Sequence, residues 1–275
     1  MISKNTSWGG VAGWYDDMLE AGDQTYQKTV IMPNLLRIVD PHAGMTMADV
    51  ACGQGYFSRA FADNGTDVIG CDVSKELIEI AKKNSHRREL TSASSPNPGK
   101  PKPGKLEFHV TPADSLSPIQ EKTVDVATIV LALQNIDNFS GTLKECSRIL
   151  KPGGRLILVL NHPAFRIPGR SSWQKDEKVG AQYRRIDGYM SEQTSKIDMT
   201  PGEKEPSKKN FTISFHRPLQ SYFKSLNKSG LAVKRLEEWI SDRKSQPGPH
   251  SVEEDRIRKE IPLFLCIEAE VVQRA

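Results

Sequence analysis

The chain has 275 residues, of which 37% are hydrophobic and 26% charged, with a formal net charge of +4 at pH 7. This length and composition are typical of a globular protein with one large domain or two small ones. No run approaches the roughly 20 apolar residues that a membrane-spanning helix needs. Residues 1–6 also lack the apolar core of a signal peptide. We therefore expect a cytoplasmic protein that does not bind a membrane.

The small excess of positive charge lies mainly in two runs, residues 100–105 and 204–209. A nucleic-acid-binding protein would carry its basic residues on a structured face, interleaved with aromatic side chains. Nucleic acid is therefore not an expected partner. The four cysteines include no Cys-x-x-Cys pair and the six histidines no His-x-x-x-His pair. Free buried thiols are predicted, and no metal site or redox motif.

From residue 45 onward, short apolar runs alternate with amphipathic stretches, which predicts βαβ units and a parallel sheet. The predicted strands are 46–51, 67–72, 106–111, 124–131 and 154–160, and the predicted helices between them are 55–64, 74–84 and 139–150. Later in the chain, the pattern predicts a long hairpin (195–199 and 211–215), a helix (218–228), a strand (231–239) and a final apolar strand (263–272). The whole chain, 1–275, is therefore expected to form a single doubly wound, Rossmann-like α/β domain.

Three segments lie outside this alternation. Residues 1–44 are helical in pattern and are expected to cover the sheet, either as simple packing or over the carboxyl edge where ligands bind. Residues 91–105 are rich in Pro, Ser and Gly and predict a flexible surface insertion. Residues 163–215 contain Trp173 and Tyr183 among basic residues and are predicted to form a lid over the substrate.

The most informative segment is residues 48–58, where a strand leads through a Gly-x-Gly turn into a helix. Gly53 and Gly55 would let backbone N–H groups approach a ligand closely. The dinucleotide fingerprint requires Gly or Ala where this chain has Ser58. Asp49 would repel a pyrophosphate but would attract the ammonium and sulfonium groups of S-adenosylmethionine. The charge pattern therefore favours S-adenosylmethionine over NAD.

Acidic residues also follow the second and third predicted strands. Asp72 lies 17 positions after Gly55 and can accept hydrogen bonds from both hydroxyls of a ribose. Asp114 can accept from an adenine amino group, while the backbone N–H of Ser115 can donate to the ring. Each acid alone could be a helix cap or a surface charge. Three acids at the ends of three successive strands indicate one binding site.

Together these segments resemble the successive motifs of class I S-adenosylmethionine-dependent methyltransferases. The resemblance spans about residues 45–160 and rests on residues 49–55, Asp72, Asp114–Ser115, Val124–Val126 and Leu150–Leu156. It implies a seven-stranded sheet whose last strand, residues 263–272, is antiparallel. Within the family, the chain is most similar to enzymes that methylate quinone precursors and other metabolites. A small-molecule acceptor and a monomeric or homodimeric protein are therefore expected.

In this arrangement the transferred methyl group would face the loops after the fourth and fifth strands. His162 and His216 are the candidate general bases, because histidine titrates near neutral pH, although either could instead serve a turn or a helix cap. The predicted cofactor-binding residues are Asp49, Ala51, Cys52, Gly53, Gly55, Asp72, Val73, Ala113, Asp114, Ser115, Leu131, Gln134, Tyr15 and Tyr26. The predicted substrate-binding residues are Asn135, Asn161, Arg217, Trp173 and Tyr183.

Three alternatives remain open. An RNA or protein methyltransferase could use the lysine-rich loops to guide an acidic partner, and its binding would depend steeply on salt. A protein that binds the cofactor without catalysis could serve as an interaction module. A nicotinamide-dependent oxidoreductase is disfavoured by Asp49. Residues 133–136, Leu-Gln-Asn-Ile, also lack the Asn/Asp-Pro-Pro-Tyr/Phe motif typical of enzymes that methylate amino groups of nucleic-acid bases.

Overall fold

The computed structural model describes residues 8–21, 24–94, 101–200, 202–205 and 209–272. Its helices are α1 (Ala12–Ala21), α2 (Met32–Val39), α3 (Tyr56–Asp63), α4 (Lys75–Ser94), α5 (Phe139–Ile149), α6 (Leu219–Lys228) and α7 (Ser251–Glu260). Its strands are β1 (Thr46–Val50), β2 (Asp67–Asp72), β3 (Leu106–Val110), β4 (Val124–Val130), β5 (Leu150–Asn161), β6 (Ser171–Lys175), β7 (Gln182–Ile186), β8 (Gln193–Asp198), β9 (Phe211–His216), β10 (Leu231–Trp239) and β11 (Phe264–Val271).

The main sheet has seven strands in the order β10-β11-β5-β4-β1-β2-β3. Strands β1 to β5 pair in parallel, whereas β11 is antiparallel to both β5 and β10. The predicted seven-stranded sheet with an antiparallel last strand is therefore confirmed. Because β1 lies between β2 and β4, the chain order reverses there, and such a switch point opens a crevice at the carboxyl edge of a sheet.

Helices cover both faces of this sheet, and the residues of β5 show why. Leu156, Leu158 and Leu160 pack into the core under α5 and α6, while Ile157 and Val159 pack into the core under α2 and α3. All five side chains are buried. A strand covered on both faces reads as a continuous apolar run, and burying each such side chain stabilises the fold by about 1.5–3 kcal/mol.

The predicted flexible insertion, residues 91–105, begins inside a helix, since α4 continues to Ser94. Residues 95–100 lie outside the described part of the chain. Close to β3, the backbone N–H of Gly104 donates to the carbonyl of Ala62 at 2.8 Å. A Cβ at Gly104 would lie 2.0 Å from the carbonyl oxygen of Thr66, so the chain approaches its neighbour too closely for any other residue.

The structure also contains a helix and a hairpin that the sequence did not predict. α7 precedes β11 and buries only Ile257 among its residues, so its apolar stripe is weak. Its first turn is acidic and its last turn is basic, which complements the helix dipole. This charge pattern was the signal in the sequence from which the helix could have been predicted. The hairpin β6–β7 lies within the predicted lid, ahead of the predicted hairpin, which is β8–β9. In the described part of the chain, no helix has both the length and the apolar character that crossing a bilayer requires.

Candidate functional site

A cavity of about 400 Å³ lies at the carboxyl edge of the sheet, within the size range of small-molecule sites. Its walls come from the ends of β1, β2 and β4, from the N-terminal helices and from β9. The residues that line it are Trp8, Leu19, Asp49, Ala51, Cys52, Gly53, Gln54, Phe57, Asp72, Val73, Leu77, Val130, Leu131, Ala132, Asn135, Ile136, Asp137, Ile213 and Phe215.

Asp49 lies near the end of β1 and is only 1% exposed. Its Oδ2 accepts a hydrogen bond from the hydroxyl of Ser58 at 2.5 Å, and its Oδ1 accepts one from the hydroxyl of Thr128 at 3.1 Å. Burial raises the pKa of this carboxyl from 3.8 to about 6, against the opposing effect of the two hydroxyls. Ser58, which breaks the dinucleotide fingerprint, is therefore one of the two residues whose hydroxyls donate to the buried carboxylate.

Asp72 ends β2 and is also buried. Its Oδ2 accepts from the backbone N–H of Gly53 and its Oδ1 from that of Ser74, both at 2.9 Å. Burial raises the pKa of this carboxyl too, despite those bonds. An ionised carboxylate has about four lone-pair sites, so Asp72 can accept further hydrogen bonds while it fixes the turn after β1.

The backbone is strained at two positions of the cavity wall. Ala51 has φ 56° and Leu131 has φ 53°, a left-handed region that costs a residue with a side chain about 1–3 kcal/mol. The carbonyl of Leu131 accepts from the side-chain amides of Gln134 at 2.7 Å and Asn135 at 3.3 Å, which hold this turn. Strain of this kind is typical of ligand-binding sites.

Gly55 has φ 76° and precedes α3. A Cβ there would lie 2.8 Å from Cζ of Phe108, so this position requires glycine for both conformation and space.

The charges around the cavity are negative. Asp49, Asp72 and Asp137 line it, whereas no Lys, Arg or His does so among the residues described. The thiol of Cys52 stays neutral, because burial raises its pKa well above the ordinary value. The described residues also include no group of three or more His, Cys, Asp or Glu side chains that could hold a metal ion. The cavity therefore favours a positively charged organic ligand over one with phosphates.

The structure brings together many of the predicted site residues. Those that line the cavity are Asp49, Ala51, Cys52, Gly53, Asp72, Val73, Leu131 and Asn135. Gly55 and Gln134 support the strained turns beside it, as described above. The other predicted residues lie elsewhere, and each has a different environment.

Ala113, Asp114 and Ser115 follow β3, but none of them lines the cavity. Asp114 accepts a hydrogen bond from the side-chain amide of Asn138 at 2.8 Å, which joins the loops after β3 and β4. The backbone N–H of Ser115 donates to the carbonyl of Pro112 at 3.0 Å and is engaged in that turn. Their predicted contacts with adenine have no support in this geometry.

Neither predicted general base reaches the cavity. His162 is 2% exposed; its Nδ1 accepts from the N–H of Ala164 at 3.2 Å, so the ring proton is on Nε2, which donates to Glu238 at 2.7 Å. Burial lowers the pKa of His162, against the opposing effect of Glu238, and so favours the neutral ring. The Nε2 of His216 donates to the carbonyl of Tyr189 at 2.8 Å. These contacts give both rings a structural role, and the prediction of a general base finds no support here.

Arg217 is 4% exposed and lies behind the cavity wall rather than in it. Its Nη2 donates to the carbonyls of Ile136 at 3.0 Å and Asp137 at 2.9 Å. Its guanidinium also lies over the rings of Phe139 and Phe215, 4.3 and 5.0 Å from their centroids. Arg217 was predicted to bind the substrate, but in the structure it holds the loop after β4 in place.

Four of the remaining predicted residues are also placed away from the cavity. Asn161 accepts a hydrogen bond from Arg166, and Trp173 lies under the guanidinium of Arg184. Tyr183 is half exposed on β7. The hydroxyl of Tyr26 is 2.9 Å from that of Ser241, and its ring packs edge-on against Phe264. The side chain of Tyr15 lies outside the described part of the structure.

The sequence did not identify several lining residues, notably Asp137, Ile213 and Phe215. Ile213 and Phe215 are two positions apart on β9 and therefore lie on the same face of that strand. The sequence spacing could have predicted that their side chains point in the same direction. No local pattern shows that this face of a hairpin meets the loop after β4.

Residues 48–158 match the family model of the methyltransferase domain. Over 162 residues the chain is 28% identical to a demethylmenaquinone methyltransferase of Streptomyces avermitilis, covering 56% of this chain and 62% of that protein. Over 180 residues it is 28% identical to a ubiquinone biosynthesis O-methyltransferase of Photobacterium profundum, covering 62% and 71%. A solved S-adenosylmethionine-dependent methyltransferase from Mesorhizobium loti shares the fold, with a TM-score of 0.63, 22% identity and coverage of 90% and 99%. Residues 48–158 therefore form a methyltransferase domain, and the chain is similar to S-adenosylmethionine-dependent methyltransferases in sequence and in fold.

The matched segment spans less than two thirds of the length of the Streptomyces methyltransferase. The cofactor of the class I methyltransferases is S-adenosylmethionine, and the cavity residues fit it. The buried carboxylates of Asp49 and Asp72 suit a ligand with two cationic groups and a ribose. The lack of cationic side chains in the described lining disfavours a pyrophosphate.

Proposed function

We propose that this methyltransferase family member transfers a methyl group from S-adenosylmethionine to a small-molecule acceptor. The observation that carries the proposal is the carboxylate-lined cavity at the switch point of the sheet, with Asp49 and Asp72 at the ends of adjacent strands. The names of the relatives, which refer to demethylmenaquinone and to ubiquinone synthesis, support an acceptor built on a flat ring, such as a quinone precursor.

Each part of the cavity has a role in this reaction. When bound, S-adenosylmethionine supplies an electrophilic methyl group. Asp49 attracts the cationic part of that ligand, and Asp72 accepts from its ribose hydroxyls. Methyl transfer requires alignment of the reacting atoms, so the main contribution of the protein is positioning. Trp8, Leu19 and Phe215 supply apolar walls that exclude water from the reacting groups.

Calorimetric titration with S-adenosylmethionine, S-adenosylhomocysteine and NADH tests the cofactor. We expect micromolar binding of both adenosyl ligands, about −8 kcal/mol, and no binding of NADH. Asp72→Asn should weaken adenosyl binding tenfold or more. Glu121→Gln makes the same change of charge just before β4, at the opposite edge of the sheet, and should leave binding unchanged. Binding of NADH, or of none of the three, would contradict the proposal.

Transfer of a radiolabelled methyl group tests the acceptor class. We expect label in phenols and related ring compounds, and none in total RNA or in a protein extract. Labelled RNA or protein, with steep salt dependence, would show that the acceptor is a macromolecule. Tight adenosyl binding without any transfer would favour an interaction module. A cytoplasmic location and a monomeric or homodimeric state stay predictions, which cell fractionation and analytical ultracentrifugation would test.

A further inference from the structure

One end of the cavity is formed by the loop after β4 and by β9, and the inference drawn from it rests on the proposed function. The side chains that line this end include the apolar Leu131, Ile136, Ile213 and Phe215, together with the amide of Asn135 and the carboxylate of Asp137. The amide of Asn135 already donates to the carbonyl of Leu131 at 3.3 Å. Asp137 is the single ionisable side chain among the described residues that line this end.

The carboxylate of Asp137 differs from the two at the other end of the cavity. Asp49 and Asp72 are buried, and each accepts two hydrogen bonds from the protein. The side chain of Asp137 is exposed and accepts no hydrogen bond and forms no ion pair within the described part of the chain. A carboxylate that accepts no hydrogen bond from the described residues can accept one from a ligand.

The backbone of Asp137 is nevertheless held in place. Arg217 donates to the carbonyls of Ile136 and Asp137, and its guanidinium is buried over the rings of Phe139 and Phe215. The same arginine therefore ties the loop after β4 to β9, whose Phe215 lines the cavity. This contact fixes the position of the Asp137 backbone, although the side chain bonds to no other described residue.

The charges then decide which acceptor fits. Asp49 and Asp72 are assigned to the cationic and ribose groups of the cofactor, and no described lining residue is a cation. We propose that the Asp137 carboxylate accepts a hydrogen bond from a hydroxyl or amino group of the methyl acceptor. The site therefore selects flat, apolar acceptors that are neutral or cationic at that group and rejects acceptors that carry a carboxylate there, since two like charges repel.

A matched pair of fluorescent probes, 2-naphthol and 2-naphthoate, tests this selectivity, because the two share one ring system. Binding of each probe is measured at about pH 7.5, where an ordinary carboxylate is ionised, with and without saturating S-adenosylhomocysteine. Wild-type protein should bind 2-naphthol at least tenfold more tightly than 2-naphthoate, which corresponds to about 1.4 kcal/mol. In Asp137→Asn this preference should fall below about threefold, whereas Glu121→Gln, with the same change of charge before β4, should keep it.

Three outcomes would overturn the inference: a preference for 2-naphthoate, a preference that Asp137→Asn leaves unchanged, or no binding of either probe at millimolar concentration. The outcome for the proposed function is separate. Failure of the wild-type protein to bind S-adenosylhomocysteine would refute the proposed cofactor, while the probe titrations without that ligand would still test Asp137.

Discussion

Asp49 is an ionisable side chain held in the interior, and its replacement by Asn tests the electrostatics of the cavity. The residue is 1% exposed, and burial raises its pKa from 3.8 to about 6. Asn has nearly the same shape and carries no charge. The hydroxyls of Ser58 and Thr128, which now donate to Asp49, can rotate to donate or to accept. We expect Asp49→Asn to raise the free energy of unfolding and to weaken adenosyl binding.

The magnitude follows from the two pKa values. Between pH 3.8 and about 6 the folded protein binds more protons at this site than the unfolded chain does, so the free energy of unfolding falls as pH rises through that range. Above about pH 6, the full free-energy difference that corresponds to the two pKa values of Asp49 opposes folding. At 1.36 kcal/mol for each tenfold change, the ionised carboxylate destabilises the fold by roughly 3 kcal/mol. Asn recovers part of this, since its amide must also be satisfied.

Urea unfolding of the wild type and the variant, measured by tryptophan fluorescence, gives the comparison. At about pH 7.5 the variant should be more stable by about 1–3 kcal/mol, and the difference should vanish near pH 4. Calorimetry should show at least tenfold weaker binding of S-adenosylmethionine, because an attractive charge has been removed. The exposed Asp137 supplies the control: Asp137→Asn should change stability by less than about 0.5 kcal/mol. A variant that is less stable than the wild type at neutral pH would refute the reasoning.

Three further predictions concern the turns and contacts around the cavity. Gly55→Ala should destabilise the fold by about 1–3 kcal/mol, and by more than Gly44→Ala does. Both glycines have positive φ, but only at Gly55 would the added Cβ meet an aromatic ring. The midpoints of urea unfolding of the two variants give the comparison. Arg217→Gln should cost about 2–4 kcal/mol, since two loop carbonyls lose their donor, and an unchanged melting temperature would contradict this. Burial lowers the pKa of His162, so the contribution of this residue to stability should be lost as pH drops below about 6.5, opposite in sign to that of Asp49. The difference in free energy of unfolding between the wild type and His162→Gln should therefore shift in favour of the variant as pH drops, and the variant should keep S-adenosylhomocysteine binding.

The elements of the sheet and one wall of the cavity could be predicted from local patterns in the sequence. The alternation of apolar runs and amphipathic stretches reflects a strand buried on both faces and helices buried on one, so the order of the elements could be read locally. Asp49 and Asp72 were identified because the ends of parallel strands meet at one edge of the sheet, whatever the rest of the chain does. Gly55 was identified because its conformation is a local property.

The residues of the other wall could be assigned only once the packing of distant segments was known. Both histidines were predicted from their chemistry, but the direction of a side chain depends on the residues that contact it. Glu238, far away in the sequence on β10, forms a hydrogen bond with the ring of His162. Arg217 was expected to face the substrate, and the two carbonyls of the loop after β4 hold it behind the wall instead. Asp137 lines the cavity because β9 closes against that loop. Contacts between segments far apart in sequence leave no periodic pattern in either segment, so residues of this wall could not be assigned before the fold was known.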